Sequence, residues 1–261
     1  MYSSLVVALI LFVLCLPGIW LMSKNSVADF IAQSKGSISE RNFFILNFLV
    51  MTIFINLSIS AGIYFGSKIG LKDLFLEGIG NGNIILINLL QQVGVGTVGG
   101  IICGLVWVVS YYKFIRNRMD KTSVQASEQL RQQLGLTVQI TSGGIVEEII
   151  FRWGLLSLTM WAVLKLIPSE AIAFWASILI TGIIFGLAHL PGYVEKGFVI
   201  SPFLIFVMLY GNLWVSIVCG YLFWKFGIIA AILVHMLFHV VWYLCELKNK
   251  GKNERETINY S

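Results

Sequence analysis

Hydrophobic residues gather into seven runs, at about 1–22, 42–66, 83–112, 136–167, 171–190, 202–224 and 226–247. Each is long enough to cross the roughly 30 Å apolar core of a bilayer as a helix. Polar stretches at 23–41 and 113–134, Pro168 and the Pro191-Gly192 pair separate them. The pattern predicts an all-α, polytopic transmembrane helical bundle of seven spans. Pro17 is expected to kink or end the first helix. The fourth run is long enough to tilt or break near Trp153-Gly154. The first run lacks a basic n-region and a small-residue cleavage site, so it reads as a retained helix rather than a signal peptide. Three segments follow: N-terminal helices with a basic linker over 1–134, a core over 135–247, and a soluble, basic tail over 248–261.

Composition agrees with this reading. The chain is 57% hydrophobic and 12% charged, with a mean hydropathy of +0.85, and a soluble domain carries about twice that share of charge. The net charge of +5 therefore speaks to loop placement, not to nucleic acid, and no nucleic-acid partner is expected. With seven spans, thirteen Lys and Arg fall on one side and four (Lys68, Lys72, Lys165, Lys225) on the other, with Arg152 set aside within a span. That bias places the N-terminus outside and the C-terminus in the cytoplasm. The expected location is the cell membrane, or the endoplasmic reticulum in a eukaryote. Cys15, Cys103, Cys219 and Cys245 all sit in apolar runs and read as buried small hydrophobes.

Two motif-like stretches are packing features on this reading. Gly94-Val95-Gly96-Thr97-Val98-Gly99 matches a dinucleotide-binding fingerprint, but no short strand precedes it, so a glycine packing face is expected. Asn212, Ser216 and Gly220 form a small or polar stripe that also reads as packing. The basic stretch at 113–134 reads as a solvated or interfacial helix.

Chemistry concentrates elsewhere. Glu147, Glu148 and Arg152 lie inside the fourth run, where ionisable groups persist only against a protein interior or a wet cavity. Glu148 and Arg152 are i, i+4 with the acid first, the favourable order for an ion pair. Glu147 points about 100° away from Glu148 at helical spacing and needs another partner. The chain's three histidines, His189, His235 and His239, also sit in or at the end of apolar runs, and that partner is expected among them. Glu147 lies roughly 16 Å and His235 roughly 18 Å from the cytoplasmic ends of their helices at 1.5 Å per residue. His239 is one turn shallower, and His189 is near the cytoplasmic mouth. Gly182, Gly186 and His189 share a helical face that lets a neighbouring backbone approach the imidazole. A carboxylate in a partly dry site is a competent general base for water. The imidazoles can position that water, donate to an oxyanion or, with the His235-x-x-x-His239 spacing, join Glu147 and His189 as zinc ligands.

Glu147-Glu148-x-x-x-Arg152, Phe185-x-x-x-His189 and His235-x-x-x-His239 resemble the three motifs of the CAAX protease and bacteriocin-processing family of intramembrane endopeptidases, in order, over about 143–239. The resemblance implies an all-helical bundle, often counted as eight spans against the seven read from the pattern, and peptide-bond hydrolysis near the cytoplasmic membrane face. It implies that Glu147 activates water beside His189, that His235 and His239 polarise the scissile carbonyl or stabilise its oxyanion, and that Glu148, Arg152 and Phe185 shape the site. His239 departs from the family pattern, which often has Asn there. The implied substrate is a peptide or protein at the membrane, a lipidated chain included. No cofactor is favoured, and zinc on Glu147, His189, His235 and His239 is the alternative. Two rival functions fit the same residues: a non-proteolytic bacteriocin-immunity or scaffold protein, and a proton-coupled transporter. A transporter should show inverted repeats, and the first half has no second Glu-Glu or His-x-x-x-His copy.

Overall fold

The structure, a computed structural model, describes residues 2–33 and 39–258, with side chains placed over 3–27 and 39–248. Among the described residues there is no strand, and seven helices are long and apolar enough to cross a membrane. Leu46, Ile53, Leu57, Ile102 and Leu187, all large and apolar, stand exposed on the outer faces. A soluble monomer does not present apolar surface on that scale, and a bilayer accepts it. The protein is a multi-pass integral membrane protein.

Helix α1 (Tyr2–Gln33) runs through Pro17 without ending, so the polar stretch expected to begin at Ser23 is helical up to Gln33. Residues 34–38 of that stretch lie outside the described residues. Helix α2 (Glu40–Ile69) starts on the side chain of Ser39 and stops at Gly70, whose φ of 73° gives the left-handed C-terminal stop. A short helix, α3 (Leu74–Gly80), follows, and then α4 (Leu86–Ser110), which continues as one π-helical turn over Tyr111–Ile115.

The candidate dinucleotide fingerprint is indeed a packing face. A Cβ at Gly96 would meet the backbone of Ala230 at 2.9 Å, and one at Gly100 the Cα of Val234 at 3.0 Å, while Gly94 faces open space. Every fourth position of α4 thus brings it against α10 (Ile228–Ile258). The start of α10 is fixed by Asp73 and Gln92. The Asp73 carboxylate accepts from the backbone of Phe75 and Leu76 at 3.0 and 2.9 Å and from Gln92 Nε2 at 3.1 Å. The Gln92 carbonyl accepts from Ile229 N at 3.1 Å. Burial holds the Asp73 carboxyl above its ordinary value, and the hydrogen bonds from Leu76, Gln92 and Ile229 offset only part of that rise. This polar knot sets the height of α10, and so of the two histidines that it carries.

Helix α5 (Lys121–Val138) is capped by Asp120 and kinks at Gly135, where φ 67° and ψ 167° suit a glycine only. The kink opens the fourth span, and the break expected near Trp153-Gly154 falls here instead. Beyond it the chain is π-helical over Gln139–Glu147 and again over Ile149–Leu156, then α-helical as α6 (Ser157–Leu166). Pi-helical turns are rare and collect at functional sites. Ile167 turns extended ahead of Pro168 and ends the span. The bundle is completed by α7 (Glu170–Ala188), the short α8 (Leu190–Glu195) and α9 (Pro202–Phe226). The backbone of α10 continues as helix to Ile258, so the expected soluble tail begins as an extension of that helix. Its side chains beyond 248 and residues 259–261 lie outside the described residues.

Candidate active site

A cavity of about 420 Å³ is lined by parts of α1, α4, α5, the π-helical segment over Gln139–Glu147, α7, α9 and α10. Glu147, His189, His235 and His239 all line it, together with Phe185, Asn212, Tyr193 and Trp242. The three helices that bear the four candidates meet because glycines allow it. A Cβ at Gly143 would lie 2.6 Å from His239 Nε2, and one at Gly144 would lie 3.1 Å from the backbone N of Met236. The Gly143-Gly144 pair therefore seats the π-helical segment directly on α10. Gly182 and Gly186 of α7 face Ser216 and Leu209 of α9, which identifies α9 as the neighbour that approaches His189.

Glu148 is fully buried and holds two partners on one oxygen. Arg152 Nη1 lies 2.9 Å and His235 Nδ1 2.7 Å from Glu148 Oε1. The i, i+4 ion pair forms as its spacing predicts, even within π-helical backbone. The histidine partner, however, goes to Glu148 and not to Glu147. The reason is direction: Glu148 faces the packed seam against α10, whereas Glu147 faces the cavity. Arg152 continues the chain of contacts, donating from Nη2 to Ser216 Oγ at 3.0 Å and lying over the Phe185 ring at 4.8 Å. Ser216 is thus more than a packing residue of α9. Its side chain receives the arginine of the motif, which no spacing rule within one helix could reveal.

Two imidazoles have their tautomers set by their neighbours. Nδ1 of His189 lies 2.8 Å from the Phe185 carbonyl, which can only accept, so Nδ1 carries the proton and Nε2 has the lone pair. The same logic gives His235 a protonated Nδ1 toward Glu148 and a free lone pair on Nε2. His239 stacks on His235 with ring centroids 4.9 Å apart. Its Nδ1 is sealed from solvent and, among the described residues, has no hydrogen-bond partner. A sealed lone pair is tolerated more readily than a sealed N–H, which puts the His239 proton on Nε2. Glu147 is half-buried, and among the described residues its carboxylate receives no hydrogen bond or ion pair.

Metal fit can be tested on distances. Ligand atoms around tetrahedral zinc, each about 2.1 Å from the ion, lie roughly 3.4 Å apart. Among the described residues, the three-residue group whose ligand atoms fall within 4.8 Å of one another is Glu148, Cys219 and His235, and no such trio comes from Glu147, His189, His235 and His239. Within the former group Glu148 and His235 are hydrogen-bonded to each other at 2.7 Å, and Arg152 already holds the carboxylate. As arranged, neither set fits a zinc ion.

Searches among curated proteins and among solved structures each returned no match. A family profile does match, that of type II CAAX prenyl endopeptidase, Rce1-like, over residues 131–241. That segment contains Glu147, Glu148, Arg152, Phe185, His189, His235 and His239, every named residue of the three motifs. Over residues 131–241, the segment that carries the site, this chain is similar to the Rce1-like, type II CAAX prenyl endopeptidase family.

Proposed function

We propose that the protein hydrolyses a peptide bond of a membrane-bound, C-terminally lipidated substrate by a metal-free, glutamate-driven attack of water. The observation that supports this most is Glu147: a carboxylate that, among the described residues, has no hydrogen bond or ion pair, lining a cavity with two imidazole lone pairs and one imidazole N–H. A relay of protons across a membrane would need titratable groups in succession along a path. Here the groups converge on one cavity instead, as hydrolysis requires.

The steps follow from the lone pairs. Water bound to Glu147 is steered by the acceptor Nε2 of His189. Glu147 removes one proton as the water oxygen bonds to the scissile carbonyl carbon. The developing oxyanion takes a hydrogen bond from His239 Nε2–H. The carbon–nitrogen bond then breaks, and the proton held by Glu147 passes to the leaving amine. His235, held by Glu148 and through it by Arg152, keeps its Nε2 at the water side of the cavity. The basic-residue bias puts this end of the bundle at the cytoplasmic face, with the N-terminus outside.

The test is turnover by the purified protein of a fluorogenic peptide bearing a farnesylated cysteine, three further residues and a free C-terminus. The expected result is release of the residues beyond the cysteine and no effect of chelators. An intact peptide would remove the protease reading. The His239→Asn variant refines it. An Asn amide offers the same kind of donor, so the variant is expected to retain turnover within about tenfold of the wild type. A protein that carries stoichiometric zinc, and loses both zinc and turnover on His239→Asn, would replace this mechanism with a metal-dependent one.

A further inference from the structure

Of the four candidate residues that line the cavity, three are acceptors toward it. Glu147 and the Nε2 atoms of His189 and His235 all present lone pairs, while His239 alone of these four offers a donor. A peptide hydrolase needs donors where charge develops on the carbonyl oxygen. Helix α9 contributes Leu204, Val207, Met208, Gly211, Asn212 and Val215 to the cavity wall. Asn212 is the single polar side chain among these six. Its recorded hydrogen bond is within its own helix, from Nδ2 to the Met208 carbonyl at 2.8 Å. That bond fixes which end of the amide is nitrogen. Among the described residues the second amide hydrogen and Oδ1 have no partner, and Oδ1 is not sealed from solvent.

Interhelical packing does not account for the amide. A polar residue retained in a membrane helix for packing bonds across to a neighbour, as Ser216 does to Arg152. Among the described residues Asn212 makes no such bond, although it stands beside Gly186 of α7, one turn before His189. It also lies ten residues into α9, roughly 15 Å from the helix start at 1.5 Å per residue. That is about the depth reckoned for Glu147 along its own span.

We infer that Asn212 is a further catalytic residue, whose free amide N–H donates to the carbonyl oxygen of the scissile bond as it becomes an oxyanion. This rests on the protease reading above. With it, the oxyanion has two donors from two helices, His239 from α10 and Asn212 from α9. The arrangement also gives a physical reason why this chain can keep His where related motifs often have Asn: the amide is supplied from a neighbouring helix.

The test uses the full-length protein, the farnesylated fluorogenic peptide and the variants Asn212→Ala and Asn212→Asp, with thermal unfolding measured in parallel. Loss of one oxyanion donor should lower kcat by about 10²-fold with KM within about threefold of the wild type. Asp, which keeps the size but loses the N–H, should be no better than Ala. Unfolding temperatures should stay at the wild-type value. Turnover of Asn212→Ala within about threefold of the wild type, or an active Asn212→Asp, would overturn the inference while leaving the protease reading intact. Failure of both variants to yield folded protein would make the amide structural and overturn it equally. If the wild type itself leaves the peptide intact, both readings fall together.

Discussion

Replacing Glu147 by Gln is expected to lower peptide cleavage by about 10²–10⁴-fold, the usual consequence of losing a general base. The fold should survive the change. Gln is isosteric with Glu, and the carboxylate makes no hydrogen bond or ion pair among the described residues, so no structural contact is lost. The neighbouring Glu148 cannot substitute. It is fully buried, and one of its oxygens is already shared by Arg152 and His235. Yield, unfolding temperature and single-turnover rate, measured on the same preparation, separate chemistry from folding. A folded Gln variant that turns over near the wild-type rate would take Glu147 out of the mechanism.

Arg152→Ala is expected to act on stability first. Arg152 is 2% exposed and Glu148 0%, so removing the guanidinium leaves a carboxylate buried without its counter-charge. Breaking buried pairs of this kind costs about 3–5 kcal/mol, enough to lower both yield and unfolding temperature. Activity should fall with stability, because Glu148 also orients His235. The pairwise replacement Glu148→Gln with Arg152→Met separates the two effects, since exchanging a whole buried pair for neutral groups is often near neutral for stability. The double variant should recover much of the unfolding temperature and little of the turnover. An Arg152→Ala protein of full stability and no activity would instead place the guanidinium at the reacting atoms.

Much of the site was legible because its spacing lies within single helices. Glu148 with Arg152, Phe185 with His189 and His235 with His239 are each four apart, and each pair makes the contact that such spacing predicts. The seven spans were legible for a similar reason: apolar length is a property of local sequence. What could not be read lies between helices. Nothing in the order of residues says that His235 docks on Glu148 in place of Glu147, or that Ser216 receives Arg152. Those choices follow from which side of the π-helical segment faces α10, and that depends on Gly143 and Gly144. The π-helical turns were equally hidden, because helix periodicity assumes 3.6 residues per turn. At Pro17, of the two outcomes expected, a kink or an end, the end does not occur. Proline in a membrane helix is tolerated where neighbouring groups satisfy the freed carbonyl, and α1 passes through it to Gln33.

Whether Glu147 acts on water, and does not itself attack the carbonyl, can be read in a single turnover with enzyme in excess in oxygen-18 water. Direct attack places one labelled oxygen in the new C-terminal carboxylate of the first product and none in the protein, and this is the result expected here. An unlabelled first product, with the label found in the Glu147 carboxylate, would mean a covalent acyl intermediate on Glu147 and would contradict it.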